Sequence, residues 1–230
     1  MTKTVAVLGA GAWGTTFAKV LADAGANVRV WAIEADVADE INEHGMNTAA
    51  ITGLRLPESV RAGTDPMWAL ADADLVAVAL PSQVARSVLE PLAGTIDPNT
   101  NVVSLMKGIE QNTEALMSEV VSQALDVEEE AVAVLSGPNL AVEIAAEQPT
   151  ATVIAAWDEA VAEEVAACVQ TAYFRPYTNS DVIGVEFSGA MKNVIALGSG
   201  IAQGLGYGHN TVASIVTRGL LEMTRLGMAL

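Results

Sequence analysis

The chain has 230 residues, with 28 acidic and 11 basic side chains, a formal net charge of −17, and 51% hydrophobic but 4% aromatic residues. So large an apolar fraction can offset the entropy of ordering the chain, which excludes a disordered protein; the negative charge repels phosphate backbones and anionic lipid, which excludes nonspecific nucleic-acid and membrane-surface binding. Cys168 is the single cysteine, so no internal disulfide or zinc cluster is expected and a reducing, cytoplasmic setting is, while the acidity itself serves solubility or tolerance of salt.

No signal-peptide pattern precedes residues 4–8, an apolar run that reads as a strand ending at glycine. Phe17, Val20, Leu21 and Ala24 recur at helical spacing and predict a helix over 13–24, stopped by Gly25; residues 28–31 read as a second strand and 37–41 as the start of another helix. Between the first strand and helix lies Gly9-Ala-Gly11-Ala-Trp-Gly14, a G-x-G-x-x-G pattern that a glycine-rich chain also produces by chance. Its setting makes it a dinucleotide turn: a strand before it, a helix opening within it, and the acidic Glu34 closing the second strand twenty residues after Gly14. Gly9 permits the tight turn, Gly11 lets a pyrophosphate reach the backbone, and Gly14 lets the helix pack on the strand, where free N–H groups meet the phosphates. A bare strand–turn–helix that binds nothing is the alternative.

Residues 44–57 are polar and turn-rich; 67–71 read as helix and 75–80 as a buried strand closed by Pro81. The segments 84–92, 102–105, 113–125 and 132–135 continue the alternation, which implies a parallel, doubly wound sheet with helices on both faces. After Tyr177 the strands stop and residues 181–230 are helical, broken by glycines at 204–208. The uncharged stretch 193–217 is long enough to cross a membrane, but five glycines with Asn193, Gln203, His209 and Asn210 argue for a buried helix and loop. The helical period is still running at Leu230, so the chain reads as cut off inside a helix.

Lys107, in Leu105-Met-Lys107-Gly-Ile-Glu110, follows a strand, where residues line the ligand crevice of an open α/β sheet; it can hold a phosphate or polarise a carbonyl, and from position alone it equally fits a surface turn. Ser136-Gly-Pro-Asn139 is another loop at that sheet edge. Lys192 sits among Phe187, Ala190, Met191, Val194 and Ile195, where loss of hydration suits proton transfer, the alternative being a lysine that reaches out to solvent. His44 and His209 stand alone in Gly/Asn-rich turns with no second ligand at metal spacing, so no metal is expected, and no Gly-x-Ser-x-Gly elbow of a hydrolase occurs.

Taken in order and spacing, Gly9-Ala-Gly-Ala-Trp-Gly-Thr15, Leu80-Pro-Ser82, Lys107-Gly-Ile-Glu110, Ser136-Gly-Pro138 with Glu143, Gly184-Val-Glu186, Gly189-Ala-Met-Lys-Asn-Val-Ile-Ala196 and Thr217-Arg-Gly-Leu220 through Gly227 resemble the bacterial-type NAD(P)-dependent glycerol-3-phosphate dehydrogenase family over the whole chain. The resemblance implies a Rossmann-like domain over residues 1–183 and the first part of a helical substrate domain over 184–230. It implies NAD(P)H-linked interconversion of dihydroxyacetone phosphate and sn-glycerol 3-phosphate for glycerophospholipid synthesis, in a cytoplasmic homodimer. Lys192 matches the family's general acid/base and Lys107 a lysine contacting substrate and cofactor together. Gly137 and Asn139 match substrate positions, Asn139 standing where the family usually has Ser or Thr. Ala12, Trp13 and Ala141 match cofactor positions beside Gly9, Gly11 and Gly14. Ile33 and Glu34 stand at the cofactor ribose: Glu34 favours a free 2′-hydroxyl, Arg29 or another arginine could receive a 2′-phosphate, Ile33 has no charge to offer, and use of both NAD and NADP is expected. Family members are longer, with a phosphate clamp in the further helices, so weak or no activity is expected of these 230 residues. Two rivals remain: another two-domain dehydrogenase of the β-hydroxyacid or sugar-nucleotide type, which the Lys107-Gly-Ile-Glu and Thr217-Arg-Gly segments disfavour, and a non-catalytic dinucleotide-sensing domain, which needs no crevice lysines.

Overall fold

A computed structural model describes residues 2–229. Among them, strands β1 (Thr4–Leu8), β2 (Asn27–Trp31), β3 (Val60–Gly63), β4 (Leu75–Val78), β5 (Asn101–Ser104), β6 (Val132–Ser136), β7 (Thr150–Ala156) and β8 (Phe174–Asn179) form one sheet in the order β3-β2-β1-β4-β5-β6-β7-β8. The central strands are runs of Val, Ala and Leu buried on both sides, as a sheet covered by helices on each face requires. One face is covered by α1 (Ala12–Asp23), α2 (Ala35–His44), α6 (Ala141–Ala145) and α7 (Glu159–Val169), with Phe17, Leu21, Ile41, Ile144 and Val165 in its core. The other is covered by α3 (Pro66–Leu70), α4 (Ala85–Leu89) and α5 (Met117–Leu125), with Leu89, Met117, Val121 and Leu125 at its centre.

Two expectations for the sheet domain need correction. The helix expected over 113–125 starts at Met117, because Glu114 takes a left-handed φ of 60° and residues 109 and 116 pair as a bridge, so the chain turns before it coils. The sheet is also not parallel throughout: β7 runs antiparallel to β6, pairing Ser136 with Val153 and Ala133 with Ala156, and β8 runs parallel to β7. The chain therefore leaves β8 at the edge of the sheet where β6 begins. From there α8 (Val182–Gly204) runs up the sheet, with Val182 packed against Val134 and Ala155 and Gly189 against Ser136 at the end of β6.

The start of α8 is integral to the core: Val182, Glu186 and Phe187 are buried. Glu186 is a buried carboxylate at the N-terminus of α5, accepting the Ser118 amide at 3.0 Å and the Ser118 hydroxyl. Burial pushes its acid up to about 7, although both Ser118 bonds pull it down. Beyond Gly204, α9 (His209–Gly227) folds back along α8, Gly219 seated against Ile195. Val194, Leu197, Ile201, Leu220 and Leu221 remain exposed on this hairpin, so the stretch 193–217, expected to be a buried helix and loop, is largely exposed, since α9 covers only one side of α8. No described helix is long and apolar enough to cross a membrane.

Candidate functional site

The glycine turn follows β1 and opens α1. Gly9 has φ +116°, and a Cβ there would lie 2.6 Å from the Ala79 carbonyl oxygen; a Cβ on Gly14 would lie 2.0 Å from the Gly9 carbonyl oxygen. These two positions admit no side chain. Gly11 faces open space and caps α1 with no side chain, so the amides of the first turn, carried by Ala12 and Trp13 among others, have no partner within the helix. The buried Trp13 Nε1 also lacks a partner. Free amides at the N-terminus of a twelve-residue helix with open space before them fit a pyrophosphate. Ala141, which begins α6, flanks the same turn, its carbonyl 3.5 Å from Thr16 Oγ1.

One side chain fixing this turn escaped the sequence reading. Asn47, 1% exposed in the loop after α2, donates from Nδ2 to the Ala10 carbonyl at 2.8 Å and to Thr15 Oγ1 at 2.9 Å. Its Oδ1 accepts the Ala50 amide at 3.3 Å. Holding the Ala10 carbonyl fixes the Ala10–Gly11 peptide plane, and with it the direction of the Gly11 N–H.

At the end of β2, Ile33 is 68% exposed and Glu34 caps α2 through its backbone alone, its carboxylate engaging no amide of that helix. Arg29 does not reach this place. Its guanidinium donates to the carbonyls of Trp68 and Ala71 at the end of α3 and lies over the Trp68 ring, pointing towards the edge where β4 begins.

The lysines converge at the ends of β5 and β6. Lys107 Nζ donates to the Gly137 carbonyl at 3.0 Å, and burial, helped by the charge of Lys192, lowers its pKa to about 8. Gly189 allows α8 to approach here: a Cβ on it would come within 2.4 Å of Ser136 Oγ and 3.9 Å of Lys107 Cγ. One turn later Lys192 lines, with Gly137, a cavity of about 610 Å³ between the β6 loop, α8 and the end of α9. Lys107 and Lys192 are both half-buried, and on the face of α8 beyond Lys192 its neighbours Val194 and Leu197 are exposed. Asn139 donates to Thr152 Oγ1 at 3.1 Å, while its buried Oδ1 has no partner.

The expected residues thus form three groups along one sheet edge: Ile33 and Glu34; the turn from Gly9 to Gly14 with Ala141; and Lys107, Gly137, Asn139 and Lys192. The edge runs from β2 through β1 and β4 to β5 and β6, as a crevice for an extended dinucleotide should. No cluster of three metal-ligating side chains occurs among the described residues.

Residues 4–173 match the family model described as the NAD-dependent glycerol-3-phosphate dehydrogenase N-terminus, and residues 181–230 that of the C-terminus. A glycerol-3-phosphate dehydrogenase (NAD(P)+) of Corynebacterium aurimucosum is 54% identical over 98% of this chain and 68% of its own length. One from Parafrankia is 53% identical over 98% of this chain and 67% of its own. The crystal structure of glycerol-3-phosphate dehydrogenase from Coxiella burnetii superposes with a TM-score of 0.90 and 36% identity, covering 99% of this chain and 69% of that one.

Proposed function

The chain belongs to the NAD-dependent glycerol-3-phosphate dehydrogenase family, and from that premise we propose how its own residues carry out the reduction of dihydroxyacetone phosphate to sn-glycerol 3-phosphate and its reverse. The observation that carries the reading is the proximity of Lys192 to Lys107 beside Gly189, with Lys192 lining the cavity between the β6 loop, α8 and the end of α9. When bound, the reduced dinucleotide supplies a hydride to the carbonyl carbon.

The first-turn amides of α1 hold the pyrophosphate, with Gly9, Gly11, Ala12, Trp13, Gly14 and Ala141 shaping its seat. Lys107, tethered to Gly137, sets positive charge beside the anionic substrate and the growing oxyanion. Asn139, tied through Nδ2 to Thr152 Oγ1, holds the loop that carries Gly137 against the substrate. Lys192 gives its proton to the carbonyl oxygen as the hydride arrives, leaving a neutral amine and an alcohol; in the reverse direction the amine takes the hydroxyl proton back. On this reading residues 1–183 hold the dinucleotide and 184–230 contribute to the substrate side. The product suits glycerophospholipid synthesis, the lone Cys168 suits the cytoplasm, and the exposed apolar residues of α8 and α9 suit a homodimer.

The test is Lys192→Ala. Turnover should fall by about 10²–10⁴ while NADH affinity holds. Undiminished turnover would leave Lys192 without a catalytic role.

A further inference from the structure

The chain has 11 lysines and arginines, and the structure accounts for each. Arg29 is turned to the end of α3. Arg55 and Arg61 donate to the carbonyls of His44 and Asn42 at the far end of α2, about 15 Å along a ten-residue helix from its N-terminus. Lys3 pairs with Glu164, Lys19 with Asp23 and Glu147, and Arg86 with Glu110. Arg175 stacks on Tyr177, and Arg218 and Arg225 belong to α9. Lys107 and Lys192 lie at or beyond the end of β5, three strand spacings or about 14 Å from the end of β2.

The end of β2 therefore carries no cation among the described residues. It carries Glu34 and, in the first turn of α2, Asp36, with Asp39, Glu40 and Glu43 further along the helix. In a glycine-turn fold this is where the adenine ribose lies. A 2′-phosphate placed there brings about two negative charges against an acidic helix start with no counter-ion, whereas a 2′-hydroxyl can donate a hydrogen bond to a carboxylate.

We propose that this chain selects NAD(H) over NADP(H), with Glu34 accepting the ribose 2′-hydroxyl and the uncharged Ile33 leaving a 2′-phosphate unpaired. The inference rests on the dinucleotide reading above and narrows it to one cofactor. It also removes Arg29 as a phosphate partner, since that guanidinium already holds two carbonyls.

Calorimetric titration with ADP-ribose and with 2′-phospho-ADP-ribose tests this without turnover. The phosphorylated ligand should bind at least about thirtyfold more weakly at low salt, and the gap should shrink as salt screens the repulsion. The double variant Ile33→Arg with Glu34→Ser should close the gap by at least about tenfold, chiefly by tighter binding of the phosphorylated ligand. Affinities within threefold of one another, or a gap that the double variant leaves unchanged, would overturn the proposal. Binding of neither ligand would overturn the dinucleotide reading itself, and the selectivity with it.

Discussion

Lys107 Nζ lies 3.0 Å from the carbonyl oxygen of Gly137, so a half-buried ammonium is held by a backbone dipole while a second lysine lies nearby. The bond fixes where the charge sits, and burial with the repulsion of Lys192 makes it costly to keep.

That cost gives a pH signature. The folded pKa of Lys107, about 8, lies below its ordinary 10.5, so the folded state sheds a proton that the unfolded chain retains. Stability attributable to Lys107 should be lowest below about 8 and recover as pH rises to 10.5. Lys107→Met should therefore stabilise the protein at neutral pH, an advantage that vanishes in strong alkali, as urea midpoints would record. Binding moves the other way: kcat/KM for the phosphate-bearing substrate should fall as pH passes about 8, and Lys107→Arg should extend the plateau upward. A flat profile through that range would contradict the role given to this ammonium.

Glu186 has the opposite sign. Its folded pKa, about 7, is above the ordinary 4.5, so the folded protein keeps a proton that the unfolded chain loses. Its contribution to stability should be complete below 4.5 and decline as pH rises through about 7. Glu186→Gln, which can still accept from Ser118, should gain on the wild type across that interval. The difference between the two urea midpoints is the quantity to follow; no change in it would show the carboxyl ionised throughout.

Asn47→Ala removes the donor holding Ala10 and leaves buried groups unpaired, at a cost of about 1–3 kcal/mol in stability. Because the freed peptide belongs to the glycine turn, ADP-ribose affinity should fall by about tenfold, while KM for the phosphate substrate at saturating cofactor stays put. Melting temperatures and calorimetry separate the two effects. A variant that melts earlier yet binds ADP-ribose as before would make Asn47 purely structural.

Much of the sheet is legible in the sequence because buried parallel strands read as unbroken runs of Val, Ala and Leu, as in β4 and β6. The reversal of β7 is not, since a short apolar strand looks the same in either direction and its partner is chosen by packing. The start of α5 is misread because Glu114 has a helix former's side chain on a left-handed backbone. At the site, Lys107 and Lys192 stand out because lysines are rare here. Asn47 does not: an asparagine in a turn-rich stretch reads as a turn former, and its partner lies 37 residues away.

The upward path of α8 has a metric consequence. From Asp181 to Lys192 a helix rises ~16 Å, and the five residues of β6 span ~17 Å. The sheet's height thus acts as a ruler for Lys192: a residue removed from that span would drop it by ~1.5 Å and swing it by ~100° around the helix. Its reach is set by a strand it never touches chemically, so the count of residues in those first three turns is as much a part of the proposed site as the lysine itself.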